Sequence, residues 1–220
     1  ALTDGDYGDP KPENREAMLA NIQSLLGKAR DAGAQVVYIQ HREDAYPPMS
    51  PGHPGFDIEP SIAPGDDEPS FQKTVGNSFS NPELEPLLRG KGVTDLVVVG
   101  MQTENCVTAT THGAIELGFN VILPVDAHAT YDTDEETAQE IIARTNSTLG
   151  ALTGADSKVI TVPSAEVAFA HAAGAGEALD DVERRVVAAL RQVALVGALA
   201  DAVRLQVARL DVGEVGARQV

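Results

Sequence analysis

Between residues 13 and 32 the apolar side chains Ala17, Met18, Leu19, Ile22, Leu25, Leu26 and Ala29 recur at helical spacing. Gly33 stands where a C-terminal cap belongs, so the pattern predicts an amphipathic helix over 13–32. Directly after it, QVVYIQ at 35–40 is short, β-branched and continuously apolar, and DLVVVG at 95–100, FNVILP at 119–124 and KVITV at 158–162 share that character. Runs of this kind read as strands buried on both faces. Helical patterns lie between them at 82–88, at 106–117 ending in Gly118 and at 134–149 ending in Gly150. Strands alternating with helices predict an α/β fold, a three-layer α/β/α sandwich around a mostly parallel central sheet.

Two stretches break the alternation. Residues 44–76 hold seven prolines and four glycines with little periodicity and read as one long surface loop, either a lid or binding loop or a solvated excursion. Residues 165–176 turn into alanine and glycine, a linker composition. Beyond it a last helical pattern is built on Leu179, Val182, Val186, Leu190, Val193 and Leu195. The expected organisation is a main domain over 1–168, a linker over 169–177 and a helical extension over 178–220. The apolar face of that extension is too large to leave in water, so it is expected to pack on its own domain or on a second subunit. There is no internal repeat.

Charge adds a second division. The formal net charge is -17, from 33 acidic and 16 basic residues, and residues 178–220 contribute six acids and six arginines, so the whole imbalance precedes the tail. Such an excess disfavours nucleic acid and anionic membrane as partners and leaves a small-molecule substrate as the expected one, with a cationic type favoured by the charge. No basic segment followed by an apolar stretch opens the chain, and no run of about 18 apolar residues occurs. The expected location is the cytoplasm. A single cysteine, Cys106, rules out an intramolecular disulfide and any multi-thiolate metal site.

The position of that cysteine carries the chemistry. Cys106 follows the strand DLVVVG and a turn over 101–105, and it opens the predicted helix CVTATTHGAIEL. Ligands of open α/β sheets bind at the carboxyl ends of the strands. A thiol at a helix N-terminus in that place sits where the dipole and the unpaired N–H groups favour negative charge on sulfur, and the same N–H groups can hold an oxyanion. The bland alternative for a lone cysteine is a small buried hydrophobe.

The segment GMQTENCVTATTHGAIELGFNVILPVDAHAT at 100–130 resembles the nucleophile segment of the isochorismatase-like cysteine hydrolases, and FQKTVGNSF at 71–79 resembles the lysine segment of the same superfamily. Lys73 and Cys106 stand 33 residues apart, which suits it, and VVYIQHRED at 36–44 looks like the second strand and its exit. The resemblance extends over roughly residues 12–168. Within the superfamily the chain looks most like the plain cysteine amidohydrolases of the streptothricin hydrolase and N-carbamoylsarcosine amidohydrolase type.

The resemblance implies an Asp, Lys, Cys triad made of Asp6, Lys73 and Cys106, attacking an amide, ureido or lactam-like carbonyl through a thioester. It also implies a cis peptide at Met101–Gln102, with the N–H groups of Gln102 and Cys106 turned toward the oxyanion, and Thr103 and Phe79 beside the substrate. Members usually open on an apolar strand ending in Asp, whereas this chain begins ALTDGDYGDPKP, so either Asp4 or Asp9 competes with Asp6 for the carboxylate or the strand that carries it is not in this chain. The nicotinamidase branch binds a metal, but His41, Asp44 and His53 have the wrong order and spacing for that set, so neither metal nor cofactor is expected. His41 is expected at a strand end near the pocket, His53 in a loop, His112 in packing or at the surface, Asp126 as a structural acceptor, and Asn77, Ser78 and His128 around the site. A dimer or tetramer is expected from the same resemblance. Two other readings stay open: a vinyl ether hydrolase of the isochorismatase type, against which Cys106 argues, and a binding protein that keeps the fold without the reaction.

Overall fold

The computed structural model describes residues 12, 14–46, 49–169 and 193–198, with residue 54 and residues 193–198 described in backbone only. Its elements are α1 (Arg15–Asp31), β1 (Gln35–His41), β2 (Ser70–Lys73), α2 (Leu84–Gly90), β3 (Asp95–Met101), α3 (Thr108–Glu116), β4 (Asn120–Pro124), β5 (His128–Ala129), α4 (Ala138–Gly150), β6 (Val159–Val162) and β7 (Val193–Ala198). The strands form one parallel sheet in the order β2-β1-β7-β3-β4-β6, with the short β5 pairing to the end of β3.

The continuous apolar runs are explained by helices on both faces. Val36 and Tyr38 of β1 and Val97 and Val99 of β3 point to the face covered by α1. Their neighbours Val37, Ile39, Leu96 and Val98 point to the face covered by α2 and α3. The seam of α1 contributes Met18, Ile22, Leu25 and Leu26, all at most 3% exposed, each worth about 2 kcal/mol on burial.

Helix ends are set by local chemistry. The backbone of Gly118 has φ 79°, a left-handed conformation that only glycine enters cheaply. There the N–H of Gly118 donates to Ile115 O and that of Phe119 to Ala114 O, closing α3 and launching β4. At the other end, α4 opens on a capping box: the Thr137 side chain accepts from Glu140 N, and the Glu140 carboxylate accepts from Thr137 N.

Two glycines make opposite predictions. Gly27, exposed on α1, has nothing within 4 Å of the place a Cβ would take, so Gly27→Ala should raise the unfolding free energy by about 0.5 to 1 kcal/mol in urea titration. A Cβ on Gly113 of α3 would stand 2.5 Å from Nδ2 of Asn77. The Asn77 side chain is pinned, because its Oδ1 accepts from Phe79 N. Gly113→Ala should therefore lower stability by about 1 to 3 kcal/mol by prising residues 77–80 off the helix.

Two expectations need correction. Residues 44–76 are not one loop: Ser70–Lys73 pairs in parallel with the end of β1, with Tyr38 opposite Ser70 and His41 opposite Lys73. The four residues are too few and too polar to show a period, yet the open edge of β1 recruits them. Much of the remaining segment is tied down, since Ile62 is 1% exposed, Tyr38 Oη donates to Ile62 O at 2.8 Å and Gln40 Nε2 donates to Phe56 O at 2.7 Å. Arg30 adds a two-pronged bond to Glu68, both contacts at 2.8 Å.

The second correction concerns the tail. Val193 and Leu195, read from sequence as part of a helical face, belong to β7, which lies between β1 and β3 with Val196 opposite both Val37 and Val98. A short apolar run carries no decisive period. What decides is the gap it fills: β1 and β3 each use β7 as their partner, and a strand placed there satisfies both ladders. The sheet thus extends past the boundary at residue 168, while 170–192 and 199–220 of the proposed linker and helical extension lie outside the described residues.

Candidate active site

A parallel sheet delivers its carboxyl ends to one edge. His41 of β1, Lys73 of β2 and Met101 of β3 are each the last residue of a strand and share that edge. Helix and turn signals then place Cys106 above it. β3 runs into a cis peptide at Met101–Gln102, the bond expected from sequence. The chain continues into a single π turn over Thr103–Val107 before α3 begins. In that turn the N–H groups of Asn105 and Val107 donate to Gln102 O at 3.2 and 3.1 Å. Thr108 closes it, with Oγ1 donating to Thr103 O at 2.8 Å. The wide i→i+5 turn sets the half-buried Cys106 within the turn itself, two residues before the regular helix, a kind of distortion that concentrates at functional sites.

The lysine meets the thiol. Lys73 is 3% exposed, and its Nζ donates to Cys106 Sγ at 3.0 Å, to Val75 O at 2.9 Å and to Gly76 O at 2.8 Å. These three bonds use all three donors of an ammonium, so a buried charge is satisfied and its position is fixed. The carbonyls carry no side-chain signature, which is why the sequence pointed to the lysine and not to what holds it. His41, opposite Lys73 in the β1–β2 register, has its pKa pushed below the ordinary histidine value, first by burial and then by the Lys73 charge. It is therefore mostly neutral at pH 7 and available as a donor or acceptor beside the pair.

Beneath the turn lies a buried polar chain. Thr103, 0% exposed, has Oγ1 at 2.9 Å from Nδ1 of His128, which is itself 0% exposed. Nε2 of His128 is 2.9 Å from Asn146 Oδ1 on α4. Burial, opposed by the Asn146 bond and by the Asp126 charge, holds the His128 pKa below its ordinary value. Asn146 went unnoticed in the sequence, since a single Asn within ARTNSTLG has no motif to mark it.

The other expected residues fall as follows. Gln102 precedes the turn, and its side-chain Oε1 accepts from Asn105 Nδ2 at 2.7 Å. Ser78 is fully buried and bonded to Thr110. The Phe79 ring stacks on Phe119 at 5.7 Å between centroids, with the Arg89 guanidinium over the same Phe119 ring. Both residues thus anchor the stretch after Lys73 to α3 and the core. Asp126 accepts from Ser164 N and Oγ at 2.7 and 2.9 Å, the structural role foreseen for it. His112 is exposed on α3, and His53 lies in the segment before residue 54. Among the described residues no three His, Cys, Asp or Glu side chains come together as a metal site, and no helix is long and apolar enough to cross a membrane. Asp4, Asp6 and Asp9 lie outside the described residues.

Known proteins resemble this chain in sequence and in fold. An isochorismatase domain model matches residues 4–156. A streptothricin hydrolase of Streptomyces noursei is 42% identical over 115 residues, 52% of this chain and 42% of that protein. The maleamate amidohydrolase of Pseudomonas putida is 28% identical over 124 residues, 49% of this chain and 57% of that protein. The chain thus spans about half the length of these curated relatives. The crystal structure of an isochorismatase from Pseudomonas putida KT2440 superposes with a TM-score of 0.64 at 26% identity, covering 72% of this chain and 81% of that one. With a domain match over most of its length and the fold in common, the chain belongs to the isochorismatase family.

Proposed function

We propose that the protein is a cysteine-dependent hydrolase that cleaves the C–N bond of a small amide, ureide or lactam. The observation that carries this reading is the 3.0 Å contact between the Lys73 ammonium and the Cys106 sulfur at the carboxyl edge of the sheet. The curated relatives described as a streptothricin hydrolase and a maleamate amidohydrolase support the bond type.

In this reaction a carboxylate, drawn from Asp6 before Asp4 or Asp9, takes the thiol proton. The Cys106 thiolate attacks the carbonyl carbon, and the former carbonyl oxygen gains negative charge that the N–H groups of Gln102 and Cys106 receive. Collapse expels the amine with the proton held by the carboxylate and leaves a thioester on Cys106. Water, deprotonated by the same carboxylate, attacks the thioester and releases the acid, and the thiolate regains its proton. Lys73 stays charged throughout and keeps positive charge beside sulfur.

The test is release of ammonia or amine from a panel of primary amides, N-carbamoyl compounds and lactams. Wild type is expected to turn over at least one member, and Cys106→Ala and Cys106→Ser are expected to lose on the order of 10³-fold or more in kcat. Activity retained by Cys106→Ala would remove the covalent mechanism.

A further inference from the structure

Of the polar groups that the proposed reaction does not use, the fully buried His128 and the half-buried Asn146 lie directly under the nucleophile turn. Their bonding pattern is determined. Nδ2 of Asn146 donates to the carbonyl of Val125 at 3.3 Å, so its Oδ1 is the atom that faces His128. An amide oxygen only accepts, and therefore Nε2 of His128 carries the ring proton. The neutral ring then leaves Nδ1 as an acceptor, and the Thr103 hydroxyl must donate to it. Backbone bonds fix the other side of each residue. β5 pairs with the end of β3, placing His128 opposite Gly100 and Ala129 opposite Met101, and Gly100 N donates to Ala127 O at 3.0 Å. The carbonyl of Thr103 is held by Thr108. Asn14, just before α1, donates to His128 O at 3.3 Å.

We propose that His128, oriented by Asn146, is a positioning residue that fixes Thr103 and with it the turn whose N–H groups receive the oxyanion. The argument is one of geometry. Thr103 is the residue between the cis peptide and the cysteine-bearing stretch of the turn, and its hydroxyl has a single acceptor set by the ring opposite. With its side chain locked on His128 and its carbonyl held by Thr108, residue 103 is fixed between the two donors, Gln102 N–H on one side and Cys106 N–H on the other. Misplacement of an oxyanion donor weakens binding of the tetrahedral intermediate and leaves ground-state binding nearly unchanged. The lysine contact to sulfur is made from β2 and does not pass through this chain of bonds. The role therefore separates the two halves of the reaction, nucleophile and oxyanion.

The inference rests on the amidohydrolase reading, and the experiment keeps the two apart by measuring kcat and KM on the best amide of the panel together with the rate of Cys106 alkylation by iodoacetamide. Alkylation attacks a saturated carbon and needs no oxyanion site. Thr103→Val keeps shape and removes the hydroxyl, Thr103→Ser keeps the hydroxyl, and His128→Leu removes the acceptor. The expected result is kcat about 10-fold to 100-fold lower in Thr103→Val and His128→Leu with KM within about twofold, most of that loss restored in Thr103→Ser, and an alkylation rate equal to wild type in all three. If kcat in Thr103→Val stays at the wild-type value, or falls only in step with the alkylation rate, the positioning role is overturned. If wild type itself hydrolyses no amide while Cys106 alkylates rapidly, the amidohydrolase reading fails first and this one falls with it.

Discussion

Lys73→Met is expected to lower kcat for amide hydrolysis on the order of 10³-fold while leaving the protein folded. The ammonium contributes the only bond from a cation to Cys106 Sγ among the described residues. Charge-assisted contacts of this kind are worth roughly 2.7 to 4 kcal/mol in a protected site, which converts to about 10² to 10³ in rate, and loss of the charge next to sulfur adds to it. Stability should respond far less. The carbonyl partners Val75 and Gly76 lie in a turn where Val75 is 52% exposed, so water can replace the lost donors, and methionine fills the space of the aliphatic stem. A Tm within a few degrees of wild type with kcat lost is the expected pair of results. A Lys73→Met enzyme with wild-type kcat would detach the lysine from the chemistry.

Val196→Pro is expected to have the largest effect on folding. Val196 sits in the middle of β7, opposite Val37 on one side and Val98 on the other. A proline there removes a ladder donor in the interior of a parallel sheet and leaves a neighbouring carbonyl without its partner, a cost on the order of 3 kcal/mol or more. That is a large part of the roughly 5 to 15 kcal/mol that a domain has in total. The circular dichroism melt of the full chain should show a Tm lower by ten degrees or more, or no cooperative transition. If Val196→Pro melts like wild type, β7 contributes nothing to the sheet, and the tail returns to the role of an appendage.

Legibility in the sequence followed the physics of each element. The seam of α1, with Leu25 and Leu26 buried against the sheet, was written in a helical period, and the runs 35–40, 95–100, 119–124 and 158–162 could hardly be anything but buried strands. Cys106 and Lys73 were readable because each sits in a motif, and the structure brings the two side chains into contact. The cis peptide was expected from the same resemblance. What escaped was whatever is decided by tertiary partners. SFQK at 70–73 is a strand because the edge of β1 is open to it, not because its residues alternate. VALVGA at 193–198 is a strand because β1 and β3 need one between them. Asn146 and the carbonyls of Val75 and Gly76 matter through what they touch, and touching is not encoded in a local pattern. The acidic net charge, which divides the chain into two parts on paper, says nothing about this sheet, since β7 from the neutral tail joins strands of the acidic part.

The central claim is that Lys73 makes Cys106 a nucleophile, and one substrate-independent measurement addresses it. Carbamidomethylation of the single cysteine by iodoacetamide at pH 7, followed by intact-protein mass spectrometry, gives a second-order rate for wild type and for Lys73→Met, with N-acetylcysteine as the free thiol. The account predicts that wild-type Cys106 reacts at least about tenfold faster than the free thiol and that Lys73→Met brings the rate down to, or below, the free-thiol value. Equal rates for Cys106 in wild type and in Lys73→Met would contradict it.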